Sequence, residues 1–189
     1  MERKVIYFEK PGRENTSACL EVVQQAIADS GYKHLVVAST RGETGLFFSA
    51  ALKDRGTNIV IVTHSHGFKE PNASEMPAEV RQTIEQNGAR VYTGSMLTHS
   101  IETAFSSKFN GLYPTTVVAQ SLRRFGEGAK VCCEIVMMTV DAGLIPENAE
   151  VLSVAGTACG ADSVLVIKSA ASKRFMDLKV LEILAKPRA

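Results

Sequence analysis

The sequence predicts an α/β fold of three layers, α/β/α, doubly wound around a mostly parallel sheet with an antiparallel edge. Short β-branched runs return at residues 5–8, 35–38, 59–63 and 90–93, separated by helix-length segments and each ending in small or polar residues. That alternation is how buried parallel strands with crossover helices are written, and three β-then-α passes with right-handed crossovers make a doubly wound sheet. The spacing of the last two runs, 164–167 and 179–184, is hairpin-like and places at least one antiparallel edge beside the parallel part. With 189 residues, 45% of them hydrophobic, the chain suits one substantial core, so residues 1–189 read as a single domain without an internal linker.

Each element follows from its residues. After the strand at 5–8 and a turn at Pro11 and Gly12, Asn15 or Thr16 caps a helix whose positions Cys19, Val22, Val23, Ala26 and Ile27 keep helical spacing, and Gly31 closes it. The strand at 35–38 leads into a Gly- and hydroxyl-rich segment, a helix over about 46–54 and a stop at Gly56. A strand at 59–63, a helix over about 76–86, a stop at Gly88 and a strand at 90–93 follow. Residues 94–113 mix Ser, Thr, His and Phe without a clear period, as lids and subunit contacts do, and their length leads us to expect a homo-oligomer. Pro114 opens another helix, and 130–143 reads as a largely buried helix with Lys130, Glu134 and Asp141 on one polar stripe, stopped by Gly143 and Pro146. A strand at 151–155, a Gly-rich turn at 156–160, a strand at 164–167 and an edge strand at 179–184 complete the chain.

Charge excludes several classes of function. Lys and Arg number 21 against 20 Asp and Glu, a net charge of +1, so no electrostatic footprint for nucleic acid or an anionic membrane is present. The apolar stretch at 131–145 is broken by Glu134 and Asp141, short of the roughly 20 residues a membrane helix needs. The chain opens on charged residues with only 5–8 as an apolar run, too short for a signal-peptide core, so a cytoplasmic location is expected. Cys19, Cys132, Cys133 and Cys159 form no Cys-x-x-Cys pair and read as reduced packing residues; for Cys159 the small buried side chain is preferred over a thiol facing a ligand.

In an open parallel sheet, ligands collect beyond the carboxyl ends of the strands. The segment Ser39, Thr40, Arg41, Gly42, Glu43, Thr44 and Gly45 joins a buried strand to a helix and offers hydroxyls, a guanidinium and helix-start amides, the groups that hold a phosphate. It lacks the Walker Lys and the three-glycine dinucleotide spacing, and its bland reading is an ordinary strand-to-helix turn with Thr44 as cap. The turn containing Gly156, Thr157, Cys159 and Gly160 admits close approach of a ligand to the backbone, or needs glycine only for its dihedral angles. His64 and His66 would point the same way in extended geometry and invite a metal with Glu70 or Glu75, but two ligands make no site; His64 as a ligand hydrogen-bonder and a solvated loop are the stronger readings, and no metal is expected. Glu134 pairs with Lys130 or acts as an acid or base, and Arg123 and Arg124 give favourable helix-end charge or, as a lesser reading, hold a phosphate.

Residues 7–8, 11–12, 15–16, 36–44, 125–131, 141–146, 156–157 and 160–162 together resemble the small archaeal and bacterial proteins described as pyruvate kinase C-terminal domain-like, along nearly the whole chain. The resemblance implies the effector-binding α/β domain of pyruvate kinase without its catalytic barrel, hence no pyruvate kinase activity. It implies that Ser39 to Gly45 form a phosphate loop, with Arg41 where that loop usually carries a smaller residue. It also implies flavin mononucleotide (FMN) as the cofactor, its ring toward His64, Gly67 and the turn of Gly156, Thr157 and Gly160. A phosphorylated small molecule or flavin is the expected partner. Two readings of function follow: an FMN-binding protein of unassigned reaction, with redox chemistry as the candidate, or a non-catalytic sensor of a sugar phosphate or nucleotide.

Overall fold

A computed structural model of the chain describes residue 2 and residues 4–188; Met1, Arg3 and Ala189, part of the domain read from the sequence, lie outside the described residues. The order of elements is β1 (Ile6–Phe8), α1 (Thr16–Ser30), β2 (His34–Ala38), α2 (Glu43–Ala51), β3 (Asn58–Thr63), α3 (Ala78–Gln86), β4 (Arg90–Thr93), α4 (Ile101–Phe109), α5 (Pro114–Leu122), α6 (Glu127–Asp141), β5 (Glu150–Ala155), β6 (Ser163–Lys168) and β7 (Lys179–Pro187). The strands form one seven-stranded sheet in the order β1-β7-β6-β5-β2-β3-β4.

The expected parallel part is β5-β2-β3-β4, and β1 pairs in parallel with β7. The antiparallel pairing lies on the other side of the sheet, where β6 runs against both β5 and β7. The run at 179–184 belongs to β7 and sits one strand in from the margin, because β1 adds outside it.

Strand alternation builds two cores. Leu35 and Val37 of β2, Ile59 and Ile61 of β3, and Leu152 and Val154 of β5 face α1, α2 and α3, whose Cys19, Val23, Phe48 and Ile84 complete that side with Leu52, which caps α2. Val36, Val60, Val62, Val151 and Ala155 face the opposite way onto α6, against Cys132, Cys133, Val136 and Met138. The period of two along the strands thus makes both faces apolar, the arrangement of a sheet covered on both sides. Burying a side chain such as the fully enclosed Phe48 contributes about 1.5–3 kcal/mol.

Two elements depart from expectation. Helix α2 starts at Glu43 rather than near residue 46, so the end of the hydroxyl-rich loop is already the first helical turn. The aperiodic stretch 94–113 contains α4, whose Ile101, Phe105 and Phe109 are exposed, so no buried apolar face marks it in the sequence. Among the described residues no helix is long and apolar enough to cross a membrane.

Candidate functional site

Strand order turns at the β2–β5 pair. From β2 the chain proceeds through α2 to β3 and on to β4, whereas β5 leads away through β6 to β7. A crevice opens at such a switch point, and here a cleft of about 560 Å³ lies beyond the carboxyl ends of β2, β3 and β5. Ser39, Thr40, Arg41, Glu43, Thr44, His64, Gly156 and Gly160 line it, together with Cys159. Gly42, Gly45, Gly67 and Thr157 are not among its lining residues. Cys159 is exposed, which corrects its expected burial: the turn carrying it faces the cleft instead of the core.

The 39–45 segment is organised by Ser39. Its backbone N–H donates to the Val62 carbonyl at 2.8 Å, and its hydroxyl oxygen accepts the Gly45 N–H at 2.9 Å. Ser39, not Thr44, therefore satisfies an orphan amide of α2, and the cap arrives from four residues before the helix. Gly42 and Gly45 serve packing: a Cβ on Gly42 would stand 2.3 Å from Val80 Cγ1, and one on Gly45 2.6 Å from Ile61 Cγ2. Helix α2 is thereby seated tightly, with its first turn directed at the cleft. As first-turn residues, Glu43 and Thr44 have N–H groups without an intrahelical acceptor, and Arg41 stands 61% exposed in a long contact of 3.7 Å with Glu43.

Helix α6 forms the floor. Lys130 and Glu134, one helical turn apart, are 2% and 3% exposed, and Nζ of Lys130 donates to Glu134 Oε2 at 2.5 Å. The pairing read from the sequence is present. The other carboxylate oxygen accepts both the backbone N–H and the hydroxyl of Thr98, each at 2.8 Å. Burial alone would raise the Glu134 pKa; the Lys130 charge, its hydrogen bond and the two from Thr98 overcome that and hold it below its ordinary value. Arg123, expected to give helix-end charge or hold a phosphate, makes a bidentate pair with Glu127 at 2.6 and 3.2 Å and also lines the cleft. His99 faces this group, and burial, reinforced by the Lys130 charge, lowers its pKa.

On the β3 side, His64 Nδ1 lies 2.7 Å from Glu75 Oε1 and Nε2 lies 3.2 Å from the Thr40 hydroxyl. Its ring packs against Phe68, tilted by 56° with 4.5 Å between centroids. His66 falls in a turn, not in extended backbone, and is exposed, so the two histidines do not converge. Among the described residues no three His, Cys, Asp or Glu side chains gather with metal-ligating geometry.

The 156–162 turn is tied from within. Asp162, fully buried, accepts the Gly12 N–H at 3.0 Å, the Thr157 N–H at 2.9 Å and the Ser163 hydroxyl at 2.8 Å. The Thr157 amide is thus committed to Asp162.

Sequence reasoning did not assign Phe68, Lys69, Met96, His99, Glu127, Val131, Ile135 or Met138 to this site. An i,i+4 pairing, Arg123 with Glu127, was readable on a helix boundary; Met96 and His99 belong to the aperiodic stretch and carried no periodic signal.

The family model for the pyruvate kinase alpha/beta domain matches residues 17–167. Among solved structures, a pyruvate kinase from Cryptosporidium parvum is 15% identical with a TM-score of 0.44, covering 85% of this chain and 24% of that one. The same organism's enzyme in complex with ADP is 15% identical, with a TM-score of 0.44 and coverage of 86% and 25%. An O-ureido-L-serine synthase is 17% identical, with a TM-score of 0.33 and coverage of 75% and 51%. This chain spans about a quarter of the length of the pyruvate kinases it resembles. Since the matched stretch runs from the first turn of α1 to the end of β6 and takes in both strand-end loops and the α6 floor, the chain belongs to the pyruvate kinase alpha/beta domain family.

Proposed function

We propose that the cleft binds FMN, with the phosphate at the start of α2. The observation that carries this reading is a single cleft that joins helix-start amides to an apolar wall. At one end, the Glu43 and Thr44 amides, the Thr44 hydroxyl and the Arg41 guanidinium form a donor set for a phosphate. Further in, Phe68, Met96, Val131 and Met138 offer a surface for a flat ring, with His64 and His99 as polar groups at its margin. A volume of about 560 Å³ suits a ligand of this size. Bound flavin supplies hydride and electron transfer; Arg41 and Thr44 anchor its charged end, and the apolar wall excludes water from the ring. The proposed role is that of a flavoprotein domain, with redox as its candidate chemistry and without pyruvate kinase activity. The experiment is to purify the protein without added ligand and record its visible absorbance. A yellow preparation that loses flavin on Arg41→Ala and Thr44→Ala supports the reading. A colourless protein that takes up no added FMN contradicts it.

A second reading, a non-catalytic sensor of a sugar phosphate or nucleotide, is favoured by one observation. Thr98, near the start of the 94–113 stretch, ties that stretch to Glu134 on the cleft floor by the bonds described above, and its hydroxyl also lies 3.0 Å from His99 Nδ1. A ligand hydroxyl or phosphate that drew Lys130 away would loosen that stretch. Thermal stabilisation by a sugar phosphate, with no uptake of FMN, selects this reading.

Self-association belongs to the same proposal, through the α4 face where Ile101, Phe105 and Phe109 are 74%, 50% and 63% exposed. A reducing, cytoplasmic setting agrees with Cys19, Cys132 and Cys133 being free and buried.

A further inference from the structure

We infer that Thr40, His64 and Glu75 form a nucleophile relay that transfers acyl groups from small carboxylic esters. Proton placement sets the roles of the three side chains. An ionised carboxylate only accepts hydrogen bonds, so Glu75 Oε1, 2.7 Å from His64 Nδ1, fixes the ring proton of the neutral imidazole on Nδ1. Nε2 is then an acceptor, and the Thr40 hydroxyl at 3.2 Å is its donor. Nucleophile, base and orienting carboxylate thus stand in the order an activated hydroxyl requires.

Three elements of the fold hold this order in place. Thr40 follows β2, and its carbonyl accepts the Thr63 hydroxyl at 2.7 Å, which ties the ends of β2 and β3 together. His64 follows β3 directly, and the tilted ring of Phe68 packs against it. Glu75 comes from the segment before α3, with its side chain 23% exposed. All three line the cleft, where a substrate would be accessible to Thr40 Oγ1.

The same proton placement separates Thr40 from the phosphate donors. Its O–H is committed to Nε2, so it presents lone pairs, not a proton, to the cleft. That is unfavourable beside an anion and suited to attack on a carbonyl carbon. In the forward step Oγ1 bonds to the carbonyl carbon, its proton passes to Nε2, and the C=O π pair moves to the carbonyl oxygen. The first-turn amides of α2, which line the same cleft, are the donors available to that oxygen. Collapse breaks the C–O bond to the alcohol, which leaves with the proton from Nε2 and gives acyl-Thr40. Water attacks the acyl carbon, gives its proton to Nε2, and the carboxylic acid departs as Thr40 regains its hydrogen.

FMN would occupy the same cleft and the same first-turn amides, so the relay is tested in flavin-free protein, where the outcome stands apart from that of the flavin reading. The test treats the intact protein with p-nitrophenyl acetate and with a fluorophosphonate, followed by intact mass and peptide mapping. We expect one adduct, on Thr40, with p-nitrophenolate release slowed about 100-fold or more in His64→Gln and no adduct in Thr40→Val. Glu75 acts as a positioning residue, and ¹⁵N NMR reads it directly: His64 carries its proton on Nδ1 in the natural protein and shifts toward Nε2 in Glu75→Gln. Absence of an adduct on Thr40 in the natural protein overturns the proposal, and needs no variant to fold. Labelling elsewhere at an unchanged rate in Thr40→Val, or an Nε2-protonated His64 in the natural protein, overturns it equally.

Discussion

Two strand-end loops rich in small residues meet across the cleft, and they use their backbone amides differently. In the 156–162 turn, Asp162 gathers the N–H groups of Gly12 and Thr157 with the Ser163 hydroxyl, so the turn is a clasp that fastens the segment before α1 to the end of β5. Gly160 has φ +74°, and a Cβ there would lie 2.4 Å from the Arg13 Cα, so glycine is required by the backbone and by the segment it fastens. In the 39–45 loop, one internal acceptor, Ser39 Oγ, takes the Gly45 amide and leaves the first helical turn directed outward. Glycine content alone does not mark a ligand loop. What distinguishes the two is whether a buried carboxylate already consumes the donors.

The largest expected effect breaks the clasp. Asp162→Ala leaves buried N–H and O–H groups without acceptors, at a cost of about 3–5 kcal/mol, read as a lower urea midpoint with an unchanged slope. If the variant were as stable as the natural protein, the turn would not be the clasp described.

Next in size is the cleft floor. Lys130→Met strands the Glu134 carboxylate in a site 3% exposed and costs about 3 kcal/mol at neutral pH. The pH dependence has a defined sign. Because the folded Glu134 pKa is below its unfolded value, its stabilising contribution is complete above about pH 4.3 and is lost as pH falls through the lower folded value. Without Lys130 the shift reverses, so the penalty shrinks on acidification. Unfolding curves of both proteins between neutral and acid pH measure the difference, and parallel curves would contradict it.

The open loop should respond in binding instead of stability. Arg41, more than half exposed, is expected to change stability by no more than about 0.5 kcal/mol on substitution by Ala, while FMN affinity falls about tenfold, a loss of about 1.4 kcal/mol. Equal losses of stability and affinity would make the two loops alike. The smallest effect sharpens the same contrast: Glu43→Gln removes a carboxylate beside the proposed anion and should raise affinity about twofold, measured by isothermal titration.

Much of the architecture was legible because it is written in periodicity. The β-branched runs near 35, 59 and 151 are hydrophobic on both faces, and the structure places each between two helical layers. Helix α4 was not, since Ile101, Phe105 and Phe109 meet no core and lie among Ser and Thr. In the site, the 39–45 loop and His64 were readable from their place after strands, and the Lys130–Glu134 pair from its spacing. Their convergence was not: Thr40 and His64 lie 24 residues apart and meet only because β2 and β3 are neighbours, and Glu75 arrives through a loop with no regular pattern. The role of Ser39 was hidden for a similar reason, because its hydroxyl reaches an amide six residues ahead.

The central claim is that the 39–45 loop holds the phosphate of a flavin. Fluorescence titration of the protein with FMN and, separately, with riboflavin tests it most directly, since the two differ only in that phosphate. The account predicts saturable FMN binding and riboflavin binding at least about 100-fold weaker, a difference of about 2.7 kcal/mol. Equal affinity for the two, or no binding of FMN, would contradict it.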